Sequence, residues 1–129
     1  MKAVNLSSPP VGPARSIDDV IDLLKDRLEN DPPAPGAWLI GYGYDESLLA
    51  GQRHPTRDDL DRVSTSVPIA LLHVSVHLAA VNSAGLQVAG LSEETQDPPG
   101  GVIRRRPGTL EPNGVLETFA RGRSAYAAD

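Results

Sequence analysis

The sequence predicts an α+β fold, a small mixed sheet covered by several helices. Three observations predict it. Ile17, Val20, Ile21, Leu24 and Leu28 recur with the 3.6-residue period of an amphipathic helix, with Asp22, Lys25, Asp26 and Glu29 on the opposite side. The run PIALLHVSV is rich in leucine and β-branched residues and too continuous for an exposed edge, so it reads as a buried strand within Val67 to Val76. Twelve prolines and twelve glycines, unevenly clustered, cut the rest into short segments.

In chain order, Pro9, Pro10, Gly12 and Pro13 make residues 1–15 an extended lead-in. Ser16 then caps the first helix, with Asp18 and Asp19 at the positive end of its dipole. The prolines between Asp31 and Gly36 stop it. Ala37 to Tyr42 reads as a short strand, Arg57 to Val63 as a helical turn opened by Pro55 and Thr56, and His77 to Ala89 as a helix closed by Gly90. Pro98 to Gly101 turn into a strand over Val102 to Arg105, and a last helix is expected near Gly114. This organisation gives one domain over 16–121 and a loose tail over 122–129.

Composition narrows function by exclusion. A chain of 129 residues and 13.7 kDa has room for one modest core and not for a complete large barrel enzyme. The absence of cysteine removes disulfides, thiol catalysis and thiolate metal sites. A net charge of -5 and only 4% aromatic residues argue against nucleic acid as a partner. No apolar run is long enough to span a bilayer, and a cytoplasmic protein is the expectation.

Few residues carry an obvious chemistry. His73 and His77 are four apart, the spacing of a metal pair on one helix, but the predicted strand-to-helix transition between them keeps their rings from converging. There is no HxH or HExxH, so no metal ligand is expected in this chain. Asp45, Glu46, Asp58, Asp59 and Asp61 offer carboxylates, three of which read as helix-start charges. Ser7, Ser75 and Ser83 lack a nucleophile-elbow motif. Arg104, Arg105 and Arg106 form the basic cluster, with neighbours facing opposite sides of a strand. His77, an imidazole at a strand end followed by Asn82 and Ser83, is the most suggestive titratable group, able to meet a ligand at the sheet's edge.

Four blocks occur in order: W-x-x-G-x-G-x-D from Trp38, H-P-T-R-x-D-L-D from His54, S-x-H-x-x-x-x-N-S from Ser75 and D-P-P-G-G-x-I-R-R from Asp97. Together they resemble the metal-dependent amidohydrolase superfamily, in the branch related to N-substituted formamide deformylases, from roughly Leu6 to Ala120. The resemblance implies a barrel enzyme that hydrolyses amide-like C–N bonds with water activated by a divalent metal, zinc being the expected ion. It implies that the metal cage belongs to the full-length enzyme, since the family's HxH is missing here. The chain then corresponds to an insertion domain that gates substrate and is catalytically silent alone, with the remainder of the barrel as its partner and a small amide-like molecule as substrate. His77 and Asn82 match positions that face the barrel mouth and are the candidate substrate contacts. Two departures are visible: Val76 stands where the family usually has glycine, and the acidic residue of G-x-L-x-E falls on Thr118, beside Glu117. A freestanding interaction module that forms a homodimer is the alternative expectation.

Overall fold

The computed structural model describes residues 3–118. Ten elements follow one another: β1 (Val4–Asn5), α1 (Ile17–Asn30), β2 (Leu39–Tyr44), a 3-10 turn (Glu46–Leu48), α2 (Arg57–Asp61), β3 (Ile69–His73), β4 (Leu78–Val81), α3 (Ser83–Ala89), β5 (Gly101–Arg105) and β6 (Pro112–Thr118). The six strands form one mixed sheet in the order β1-β2-β3-β4-β6-β5. Its first three strands are parallel and the remaining pairings antiparallel. The fold is thus the expected mixed sheet with helices, and β1 adds the lead-in to the sheet itself.

Helix α1 forms where the periodicity places it. The Ser16 side chain accepts from the Asp19 N–H at 3.0 Å, and Val20, Ile21 and Leu24 are buried. They pack on the inner sheet face, against Leu39, Ile69, Leu71 and Ala80, with Leu6, Leu49 and Leu60 closing the cluster. On the outer face a smaller cluster joins Val81, Leu86 of α3, Ile103 and Leu116, with Trp38 and Ala70 against it.

Two expected helices are different in the structure. The segment His77 to Ala89 divides into strand β4 and the short helix α3, because the Asn82 side chain accepts from the Gly85 N–H at 2.8 Å and so caps a new helix there. Leu78 to Val81 instead alternates between the two sheet faces: Ala80 joins the inner cluster and Val81 the outer one. Gly90 ends α3 in the left-handed conformation, as expected. The helix expected near Gly114 is strand β6, inserted between β4 and β5, where Val115 pairs with Ala80 and Leu116 with Ala79 and Ile103. Both side chains are buried, a two-sided burial that a strand between two others provides. The expected tail over 122–129 lies outside the described residues.

One irregularity decides what the site looks like. In β2 the register with β3 slips between Tyr42 and Tyr44, so Gly43 is an extra residue, a β-bulge with φ +83°. Ordinary alternation would send Tyr44 to the face opposite Leu39 and Gly41's partner Leu71. The bulge restores it to the inner face, beside His73. Glycine is favoured there twice over: by the positive φ, and by the Ser7 hydroxyl, which occupies the space a Cβ would need.

Candidate functional site

The site begins with two strand ends. Tyr44 closes β2 and His73 closes the parallel neighbour β3, and the two residues are register partners. Beyond the carboxyl ends of parallel strands lies the usual ligand position of open α/β sheets. The turn after β2 brings in Glu46, and the loop before α2 brings in His54, whose side chain is 11% exposed. The three rings pack edge-on or tilted, with centroids 5.0 Å apart for Tyr44 and His73, 5.7 Å for Tyr44 and His54, and 5.5 Å for the two imidazoles.

Hydrogen bonds define the protonation pattern. The Ser75 backbone N–H donates to His73 Nδ1 at 3.1 Å, so that nitrogen is an acceptor and the proton sits on Nε2. His73 Nε2 donates to Glu46 Oε1 at 2.6 Å. The Ser75 hydroxyl lies 2.8 Å from the same Nδ1. His54 approaches the other carboxylate oxygen with Nε2 at 3.3 Å and meets the Tyr44 hydroxyl through Nδ1 at 3.0 Å. Glu46 is therefore a carboxylate between two imidazoles.

The electrostatics follow. Burial works to raise the Glu46 carboxyl, but the hydrogen bond from His73, a backbone bond and the electrostatic pull of the two imidazoles outweigh it, and the group is held below its usual value. Burial pulls His54 down, against the opposing pull of Glu46 and with help from Arg104, which favours the neutral ring. Burial pushes the Tyr44 phenol far up, and the Glu46 charge adds to that, so it remains a neutral hydroxyl. Arg104 and Glu117 flank this cluster and bond each other at 2.7 Å.

Among the described residues, Glu46, His54 and His73 are the group able to hold a metal ion, each offering one ligand atom within 4.8 Å of the others. His73 is a member of this group, and its companion is His54, not His77. Sequence spacing does not reveal this set, because its members come from three segments and meet through the bulge and the β2–β3 pairing. The available signal is partial: Glu46 follows the strand predicted to end at Tyr42 and His54 precedes the predicted helical turn, while His73 lies inside the predicted strand.

The remaining candidates separate into two kinds. His77 is exposed in the turn joining β3 to β4, its N–H donating to the Ser75 hydroxyl at 3.2 Å. Asn82 is fully buried and 0% exposed. Its Oδ1 accepts from the N–H groups of Ile69 (2.9 Å) and Gly85 (2.8 Å), and its Nδ2 donates to the carbonyls of Ser64 and Val67, both at 2.9 Å. These four bonds use the amide's capacity inside the fold. The acidic residues other than Glu46 are similarly engaged: Asp45 accepts from Ser47, Asp58 from Arg106, Asp59 from Arg53 and Thr56, and Asp61 from Ser83. The three arginines are each paired, Arg104 with Glu117, Arg105 with Asp97 and the carbonyl of Leu110, Arg106 with Asp58. They form no anion patch.

Ser75, His73 and Glu46 line up as hydroxyl, imidazole and carboxylate, the order of a nucleophilic relay. The turn around them supplies no oxyanion donors, however. The N–H groups of Ser75, Val76 and His77 are bonded to His73 Nδ1, the His73 carbonyl and the Ser75 hydroxyl. Val76, in this same turn, has φ +59°. A β-branched residue thus occupies a left-handed conformation that glycine adopts freely.

A family model described as the amidohydrolase family matches residues 1–128. The chain belongs to the amidohydrolase family. It is similar to the N-substituted formamide deformylase of Arthrobacter pascens, 35% identical over 103 residues that cover 80% of this chain and 18% of the deformylase. It is also similar to the YtcJ protein of Bacillus subtilis, 40% identical over 101 residues covering 78% of this chain and 18% of that protein. In fold it resembles a metal-dependent hydrolase from Pyrococcus horikoshii OT3, with a TM-score of 0.59 and 21% identity over 89% of this chain and 18% of the hydrolase. This member of the amidohydrolase family therefore spans about 18% of the length of these relatives. No helix among the described residues is long and apolar enough to cross a membrane.

Proposed function

We propose that this chain is the insertion domain of a metal-dependent amidohydrolase, standing over a metal-bearing centre carried by the rest of the polypeptide and gating entry of a small amide-like substrate. The observation that carries the reading is a family match along nearly the whole chain combined with coverage of only 18% of the deformylase relative. Without an HxH the chain is silent in hydrolysis by itself, and the divalent ion of the family belongs to barrel residues outside it. His77, exposed beyond β3, is the proposed substrate contact, and Asn82 acts as a positioning residue by fixing the strands that carry it. A cytoplasmic location fits this reading.

The test is turnover by the complete polypeptide. Metal-loaded enzyme should hydrolyse N-substituted formamides or related amides, chelation should abolish that activity, and the 129-residue chain should show none. His77→Ala in the complete enzyme should lower kcat/KM at least about tenfold, the scale of one lost transition-state contact. A change within twofold removes the contact role.

The outer face of β2 and β3 supports a second reading, a homodimer. Ile40, Tyr42 and Leu72 are exposed there, apolar surface that a larger protein or a second copy would cover. Sedimentation of the chain decides: a tight dimer favours an interaction module, a monomer the insertion domain.

A further inference from the structure

We infer that Glu46, His54 and His73 form a binding site for a divalent transition-metal cation of the zinc class, distinct from any metal centre elsewhere in the polypeptide. The donor set is two imidazoles and one carboxylate, a combination that suits zinc and its neighbours and, lacking thiolates, not the softer ions. One donor atom of each residue already lies within 4.8 Å of the other two. Ligands about 2.0–2.2 Å from a tetrahedral ion are about 3.3–3.6 Å from one another, so closure requires only small side-chain shifts. Two of the three side chains are about nine-tenths buried while Glu46 is 29% exposed, which leaves an open coordination position toward solvent.

The groups behind the imidazoles make the exchange of proton for cation possible. A ring that coordinates through Nε2 must carry its proton on Nδ1, where it needs an acceptor. His54 Nδ1 faces the Tyr44 hydroxyl at 3.0 Å and His73 Nδ1 faces the Ser75 hydroxyl at 2.8 Å. A hydroxyl both donates and accepts, so each serves either tautomer. The N–H that now holds His73 Nδ1 belongs to exposed Ser75 and can turn to water. Each ring keeps one proton throughout: it moves from Nε2 to Nδ1, and the cation takes its place opposite Glu46.

The experiment uses the 129-residue chain, which has no HxH to compete, with zinc chloride in calorimetry and cobalt(II) as a spectroscopic probe. One equivalent of zinc should bind, and cobalt should give the visible bands of a low-coordinate nitrogen and oxygen site. His54→Ala and Glu46→Gln should each weaken zinc binding by about 10- to 100-fold or more, Tyr44→Phe by about tenfold, and His77→Ala not at all. Binding unchanged in His54→Ala, or lost in His77→Ala, would overturn the assignment. So would the absence of binding by a chain whose far-ultraviolet circular dichroism shows it folded. If the chain alone is unfolded, the complete polypeptide is used, and His54→Ala must lower the bound zinc by one equivalent; loss of none refutes the site. Because the readout is stoichiometry, it is separable from the outcome of the hydrolysis assays.

Discussion

The two ends of β3 are finished in opposite ways. At its amino end, the Asn82 amide makes four hydrogen bonds, to Ser64, Val67, Ile69 and Gly85, and none of its capacity is turned outward. At its carboxyl end, His73 meets Glu46 and His54 in a cluster that opens to solvent through Glu46. Both ends hold buried polar side chains, but only one could accept something from outside. A polar residue that is buried and fully bonded stabilises; one that is buried and only loosely committed is available for chemistry.

The sharpest way to break this contrast is Asn82→Ala. It leaves the buried N–H of Ile69 and the first turn of α3 without their acceptor, so unfolding in urea should show a loss of roughly 3–4 kcal/mol. A loss below about 1 kcal/mol would mean that the amino end is not the structural one.

Next in size is Asp59, which ties the loop bearing His54 to α2. Its carboxylate accepts from both Arg53 guanidinium nitrogens, at 2.6 and 3.0 Å, and from the Thr56 N–H at 2.8 Å. Burial works to raise its pKa, but these bonds prevail and hold it below the ordinary value. A depressed carboxylate contributes stability that is complete above its unfolded pKa, about 3.9, and disappears as pH falls through the lower folded value. Asp59→Asn should therefore cost about 1–2 kcal/mol at neutral pH and flatten the acid side of the stability profile, as measured by urea midpoints across pH.

Val76→Gly should act in the other direction. Relief of left-handed strain, about 1–2 kcal/mol, exceeds the extra chain entropy of glycine, about 0.5–1 kcal/mol. A gain of about 0.5–1 kcal/mol in equilibrium unfolding is expected. The smallest effect belongs to Glu46→Gln, which should change stability by less than about 1 kcal/mol because the half-exposed carboxylate supports no core packing. Comparable losses for Glu46→Gln and Asn82→Ala would erase the distinction between the two ends.

How much of this was legible in the sequence depended on whether a local rule decided the outcome. Helix α1 follows from its own residues, with period, cap and proline stop all within one segment. Strand β3 is legible from its continuous apolar run, Ile69 to Leu72. Leu78 to Val81 is not, since four apolar residues fit a helix or a buried strand equally until the antiparallel pairing with β3 decides. Pro112 to Thr118 fails for the same reason: its burial on both faces exists only once β4 and β5 flank it. The family was legible from ordered blocks, and the turn glycine replaced by Val76 points to the strained residue. The site was not. His54 and His73 are separated by helix α2 and a loop, and no spacing rule brings them together across a sheet register.

The bulge at Gly43 makes the carboxyl-edge cluster depend on counting as well as on chemistry. If residue 43 kept its place in the chain but rejoined the ladder, everything after it in β2 would change parity, swinging the Tyr44 ring to the opposite side and taking the hydroxyl away from His54, whereas its deletion would leave Tyr44 directly after Tyr42 and in phase. A single-codon deletion can therefore spare this corner of the molecule while a side chain at position 43 that resists the left-handed backbone abolishes it. Among relatives that keep the extra residue, a glycine at this position should be the better guide to whether the corner survives.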